Sequence, residues 1–202
     1  MTLEERMLSG KLYDCADETL QARQRELNEL VFDYNNTRPT DGNRRQTLLR
    51  QIFEDMGEGC YIEPPLHANW GSHTHLGNKV YANFNLTLVD DTHIYIGDNV
   101  MFGPNVTLCT AGHPIEPELR RQVYQYNFPI HIEENVWIGA GVIVLPGVTI
   151  GKNSVIGAGS VVTRDIPENV VAMGTPCRVA RPISEWDREY YFRKHRIDEG
   201  LS

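Results

Sequence analysis

The sequence has no long apolar run, no paired-cysteine motif and no excess of basic charge. Each absence removes a class of protein. No stretch approaches the roughly 20 apolar residues of a membrane-spanning helix. The opening residues, MTLEERMLSGKLY, lack the apolar core of a secretory signal, so a cytoplasmic protein is expected. Cys15, Cys60, Cys109 and Cys177 form no CxxC pair, which argues against a zinc knuckle or a thioredoxin-like site and for reduced thiols. A formal net charge of −8 argues against nucleic acid or an anionic membrane as the main partner. No GxSxG elbow or Ser-His-Asp order is present, so no serine acyl-enzyme is expected.

What is present divides into three segments: 1–57, 58–180 and 181–202. The first reads as helical. Thr2 and Glu5 have capping-box spacing. A second helix, from about Asp17 to Tyr34, puts Leu20, Leu27, Val31 and Tyr34 on one stripe before Arg38-Pro39 breaks it. A third, from about Gly42 to Met56, carries Leu48, Leu49, Ile52, Phe53 and Met56, with Gly57 as its stop. Each helix has one apolar face and must pack on something larger.

Beyond residue 58 helical periodicity gives way to a period of six. From Ile132 the chain reads IEENVW, IGAGVI, VLPGVT, IGKNSV, IGAGSV, VTRDIP. The same phase runs from Leu76 and, after two extra residues read as Ile94 and Tyr95, from Ile96. An aliphatic first position followed by glycine every six residues is the signature of a parallel β-helix, in which each short strand forms one face of a coil. Residues 114–129 lack hexads and read as an extruded loop directly after His113, a candidate wall of an active site. The tail from Arg181, SEWDREYYFRKHRI, reads as helical and as a cap on the open end of the β-helix.

Several strings together carry a resemblance: GKLYDCADETLQARQ, YANFNLTLVDD, IGDNVMFGPNVTL, TAGHP, NVWIGAGVIVLPGVTIG and NSVIGAGSVVTRDIPENVVAMGTPCRV. With them the chain resembles the galactoside and maltose O-acetyltransferases of the hexapeptide-repeat acyltransferases, over nearly its whole length. The resemblance implies a mostly β fold with a left-handed parallel β-helix. It also implies acetyl-CoA as co-substrate, a homotrimer with active sites between subunits, and no required metal.

It further implies roles for particular residues. His113, in TAGHP, is the expected general base, a task that suits a side chain titrating near neutrality. Asn83, in ANFN, is expected to contact the acceptor hydroxyl and steady the transition state, and Asp91 to bind the acceptor. Asn69 stands where galactoside enzymes carry a serine, and Cys15 where they carry an acidic sugar contact, so Asp14 or Asp17 is a candidate replacement carboxylate. On the donor side, Trp137 matches an aromatic wall beside the pantetheine arm. The backbone at Ala140 and Ala158 matches donors to it. Thr163 and Arg164 match further contacts, and Arg178 and Arg181 match contacts to phosphate. Three alternatives stand beside this reading. They are a zinc-dependent hydrase of the carbonic-anhydrase type built from His73, His75, His93, His113 and His131, a trimeric scaffold without catalysis, and an acetyltransferase for an antibiotic or lipid-linked hydroxyl.

Overall fold

The computed structural model describes residues 1–198 and Gly200. Its main body is a parallel β-helix with three faces. The first face stacks strands Asp55–Met56, Thr74–Leu76, Ile94–Ile96, Ile130–Ile132 and Thr149–Ile150. The second stacks Tyr61–Ile62, Tyr81–Ala82, Met101–Phe102, Trp137–Ile138, Val155–Ile156 and Val170–Met173. The third stacks Leu66–Ala68, Leu86–Val89, Thr107–Cys109, Ile143–Val144 and Val161–Val162. Neighbouring strands of these three stacks pair in parallel, coil on coil.

The hexad explains this shape. Its first position points inward and meets its counterpart in the next coil. Ile62, Ala82, Phe102, Ile138, Ile156 and Ala172 form one such column, each no more than 1% exposed. The glycine that follows admits the neighbouring coil's backbone: a Cβ on Gly139 would sit 2.7 Å from the Ala158 nitrogen. Between the first and second faces the chain turns through left-handed residues, Asn99, Asn135, Asn153 and Asn169 among them. Asparagine tolerates that conformation, and the Asn135 and Asn153 amides each donate to the next asparagine at 3.0 and 2.9 Å.

Coil length varies at one corner only, between the third and first faces. Leu88 to Ile96 spans eight residues, Val144 to Ile150 six and Val162 to Ile166 four, while Leu108 to Ile132 spans 24. The two extra residues read at Ile94 and Tyr95 therefore belong to the corner just before them. Ile94 and Ile96 are ordinary inward positions, 0% and 4% exposed.

The helical segment is α1 (Leu3–Leu8), α2 (Glu18–Asn35) and α3 (Gly42–Ile52), with the expected capping box at Thr2 and Glu5. α3 ends four residues earlier than its apolar pattern suggests. Met56 is already in the first coil, and Gly57 packs under Gly77 rather than stopping a helix. Tyr34 and Asn35 pin α2 to that coil: the tyrosine hydroxyl donates to the Ile62 carbonyl, and the Asn35 amide exchanges two 2.8 Å bonds with Leu66. Two further expectations change. The segment 114–129 is not structureless: it holds a short helix, α4 (Pro117–Arg121), and a strand, Tyr124–Asn127. The tail is not mainly helical. Strand Arg178–Pro182 covers the edge at Val170–Met173 antiparallel, then α5 (Glu185–Glu189) and a small hairpin follow. Among the described residues no helix is long and apolar enough to cross a membrane.

The column predicts its own sensitivity. Ile138→Ala removes three carbons from a site with no exposure, between Phe102 and Ile156. It should destabilise the fold by about 2–5 kcal/mol, read as a lowered urea midpoint.

Candidate active site

The lengthened corner gathers Asn69, Trp70, Asp90 and Asp91. Asp90 is fully buried, and its carboxylate organises the corner of the preceding coil. One oxygen accepts the Asn69 and Trp70 backbone N–H groups, both at 2.9 Å, and the other accepts the Thr74 hydroxyl at 2.9 Å. Burial pushes this carboxyl above the usual range, against the three donors that hold it down. Asp91, 7% exposed, turns its carboxylate the other way, where the Asn69 amide donates at 3.0 Å and the Trp70 indole at 3.3 Å. Cys15 and Cys109 lie close enough for the Asp91 charge to act on them. Burial, aided by that charge, pushes both thiols up, so both stay neutral. The Cys15 thiol donates to the Val123 carbonyl at 3.0 Å.

The insertion positions His113. Strand Ala111–Gly112 leaves the third face and pairs antiparallel with Tyr124–Asn127, whose other edge takes the strand Tyr13–Asp14. His113 follows at once, exposed, with Nδ1 2.8 Å from the Tyr124 carbonyl oxygen. A carbonyl can only accept, so Nδ1 carries the proton. In the neutral ring Nε2 is then a free lone pair, the form a general base requires.

The remaining residues sit elsewhere. Ala140 and Ala158 stack along the corner between the second and third faces, Asn83 lies at the same corner one position out of their register, and Trp137 is beside them, 52% exposed on the second face. Asn83 Oδ1 accepts from the Phe84 N–H at 2.8 Å, which turns its NH2 outward as a donor. Thr163 and Arg164 are exposed at the same corner as Asp91, further along the axis. Arg178 is exposed and donates to the Cys177 carbonyl at 2.7 Å. Arg181 is not a free cation: it makes a two-pronged bond with Asp187, 2.7 Å on each side, which holds that carboxyl down at about 2. Asp17 caps α2, accepting from Thr19 and Leu20, and does not join the Asp91 cluster. Asp14 likewise accepts from Ala16. His75 bonds to Asp55 and to His93, and His73 to the Asp90 carbonyl.

Sequence reasoning passed over Asp90, Trp70 and Asn127. The signal for Asp90 was its place in a corner two residues too long. Trp70 and Asn127 gave none, because their roles arise only when distant segments meet.

Similarity to known proteins is extensive. Residues 6–57 match a family profile described as the maltose acetyltransferase hexapeptide capping motif, and residues 129–164 match six repeats of the bacterial transferase hexapeptide. The galactoside O-acetyltransferase of Lactococcus lactis subsp. lactis (strain IL1403) is 53% identical over 96% of this chain and 94% of its own length. That of Escherichia coli (strain K12) is 47% identical over 100% and 99%. The chain belongs to the galactoside and maltose O-acetyltransferase family. Among solved members, a galactoside acetyltransferase in complex with coenzyme A superposes with a TM-score of 0.95 at 47% identity, covering 98% of this chain and 99% of that one. A maltose O-acetyltransferase from Clostridium difficile 630 gives 0.89 at 46% identity, covering 91% and 98%. The family's capping motif corresponds here to the helical segment that brings Tyr13 and Cys15 to the insertion.

The buried hub of this acyltransferase site can be tested directly. Asp90→Ala strands two backbone N–H groups and the Thr74 hydroxyl, and should cost more than ~3 kcal/mol. Asp90→Asn keeps one acceptor oxygen and should cost less. Denaturant titration of both variants reads the difference, and an Asp90→Ala midpoint equal to wild type would remove Asp90 from this role.

Proposed function

We propose that the enzyme moves the acetyl group of acetyl-CoA directly to a hydroxyl of a sugar, a galactoside, maltose or similar glycoside, with His113 as general base. The observation that carries this is the bond from His113 Nδ1 to the Tyr124 carbonyl, which leaves Nε2 free to accept a proton. The acceptor hydroxyl gives its proton to Nε2 as its oxygen attacks the thioester carbonyl. The tetrahedral intermediate collapses with loss of the coenzyme thiolate, which recovers the proton from the imidazolium. The outward NH2 of Asn83 is a fixed donor for the acceptor oxygen and the charge that develops. Asp91, steadied by Asn69 and Trp70, receives acceptor hydroxyls.

The donor side is the column at Ala140 and Ala158, where methyl side chains leave the backbone open, with Trp137 as a wall for the pantetheine arm. Thr163, Arg164, Arg178 and Arg181 serve the rest of the coenzyme, and Arg181 must trade or share its Asp187 partner to meet a phosphate.

Asn83 and His113 belong to different corners and different coils: Asn83 precedes the third-face strand Leu86–Val89, and His113 lies beyond Thr107–Cys109 of the next coil, on the insertion. Corners of two neighbouring chains set against each other would bring both residues to one hydroxyl, which supports a homotrimer with sites between subunits. Cys15 and Asn69 set the acceptor contacts, and a panel of hydroxylated acceptors, sugars beside antibiotics and lipid-linked oligosaccharides, decides which class is used.

Two measurements bear on this. His113→Ala should lower kcat by ~10²–10⁴ while acetyl-CoA affinity stays near wild type. Near-normal turnover in the folded variant would reject the base. Mixed assembly is sharper: His113→Ala and Asn83→Ala are each inactive alone. When unfolded together and refolded at equal ratio they should regain roughly one quarter of wild-type activity, because random closed assembly restores that share of sites. No recovery from correctly mixed trimers would show that both residues act within one chain.

A further inference from the structure

We infer that Tyr13, from the N-terminal segment, is a positioning residue for the catalytic histidine: its phenol oxygen locks the strand whose Tyr124 carbonyl sets the proton of His113. This rests on His113 being the base.

Three observations carry it. The first is register. Tyr124–Asn127 is the central strand of a three-stranded sheet, with Ala111–Gly112 on one side and Tyr13–Asp14 on the other, Tyr13 facing Gln125 and Asp14 facing Tyr124. The carbonyl that fixes His113 thus lies on a strand held from outside by residues about one hundred positions earlier in the chain.

The second is side-chain chemistry. Gln125 and Asn127 point to the buried side of that strand and Tyr124 and Tyr126 to the other. Tyr13 is 2% exposed, and its oxygen accepts from Gln125 Nε2 at 2.5 Å and from Asn127 Nδ2 at 3.1 Å. Gln125 Nε2 also donates to Asn127 Oδ1 at 3.0 Å, closing a three-membered ring of side chains. One phenol oxygen therefore ties two alternate residues of the strand and fixes how far it slides. Burial holds the phenol well above its ordinary pKa, so it keeps its proton throughout the working range.

The third is where the ring leads. Asn127 Nδ2 also reaches the Met7 carbonyl at 3.1 Å and the Asp91 carbonyl at 3.3 Å. The same buried ring thus ties the strand that sets the base to the backbone of the acceptor-binding aspartate. A shift of the strand moves the base and its substrate contact relative to each other, and displacements of about 1 Å are felt in turnover.

A buried tyrosine with this packing also stabilises the fold, so the test reads the histidine itself. In the full-length enzyme, Tyr13→Phe keeps the ring and removes the oxygen. Expected are a kcat lowered at least about tenfold and an acetyl-CoA KM within about twofold of wild type. Nitrogen-15 spectra at high pH, assigned against His113→Ala, should show His113 as the Nδ1–H tautomer in wild type and as a mixture in Tyr13→Phe. If Tyr13→Phe does not fold, Gln125→Met removes one arm of the ring and is read the same way. Unchanged kcat, or lowered kcat with the wild-type tautomer, overturns the positioning role. An active His113→Ala instead overturns the base assignment, and the tautomer spectra remain a separate reading of the tie.

Discussion

Close approach of one coil's backbone to the next is the constraint on which the rest of the molecule depends. At two of the three corners there is no room for a side chain. Added Cβ atoms at Gly97 and Gly103 would lie 2.7 Å from the Glu134 and Ala140 nitrogens, and one at Gly151 would lie 2.5 Å from the Glu168 nitrogen. Those corners cannot lengthen without lifting the coils apart and breaking the buried columns. The third corner has no glycine pressed against the next coil. Gly147 there approaches only the Phe128 side chain, at 3.3 Å, and Gly71, in the first coil, meets the Ile52 carbonyl of α3. All the variation in coil length has collected there, and with it Asp90, Asp91, Asn69 and the insertion bearing His113. The edge that stacking leaves unregulated is thus where side chains other than the repeat's own have gathered.

The same constraint determines which parts of the molecule were legible in the sequence. Stacking demands an aliphatic residue and a glycine every six positions, so the β-helix announces itself in IGAGVI and IGAGSV. His113, Asn83 and Asp91 became candidates because they sit in short strings that the resemblance made specific. The misreadings all fall where a local pattern competes with tertiary packing. Phe53 and Met56 continue the apolar stripe of α3, yet Met56 serves as the first inward residue of the β-helix. Periodicity alone cannot separate those outcomes. Residues 124–127 lack hexads because they pair antiparallel with the N-terminal strand, and a pairing across more than one hundred residues leaves no periodic trace. Arg181 looked like a surface cation, and only the fold reveals its carboxylate partner.

The helical segment also acquires a reason. In the β-helix it contributes the pinning of α2 through Tyr34 and Asn35, which covers the otherwise open first coil. At its other end it contributes Tyr13 and Cys15, which reach the insertion. Without it the insertion's own ladder is the two-residue pairing with Ala111–Gly112. Such a short ladder is marginal alone, so the N-terminal strand, by completing the sheet, adds to the stability of the loop that holds His113.

A prism has convex corners, and this shapes the chemistry more than any single residue. His113 is exposed on its corner and Trp137 is half-exposed on its face, so neither surface alone excludes water. A thioester near an activated base in open solvent is hydrolysed, and the electrostatic value of Asn83 as a donor is small until water leaves. A concave site requires a second convex surface set against the first. The column at Ala140 and Ala158, proposed for the donor, and the corner at Asp91, proposed for the acceptor, belong to different corners of one chain, which fits two surfaces that are each half of a cleft. The interior of the β-helix is filled by its columns and offers no cavity for substrates. A cleft between chains, as proposed, would keep the stack intact and still remove water from the reacting atoms.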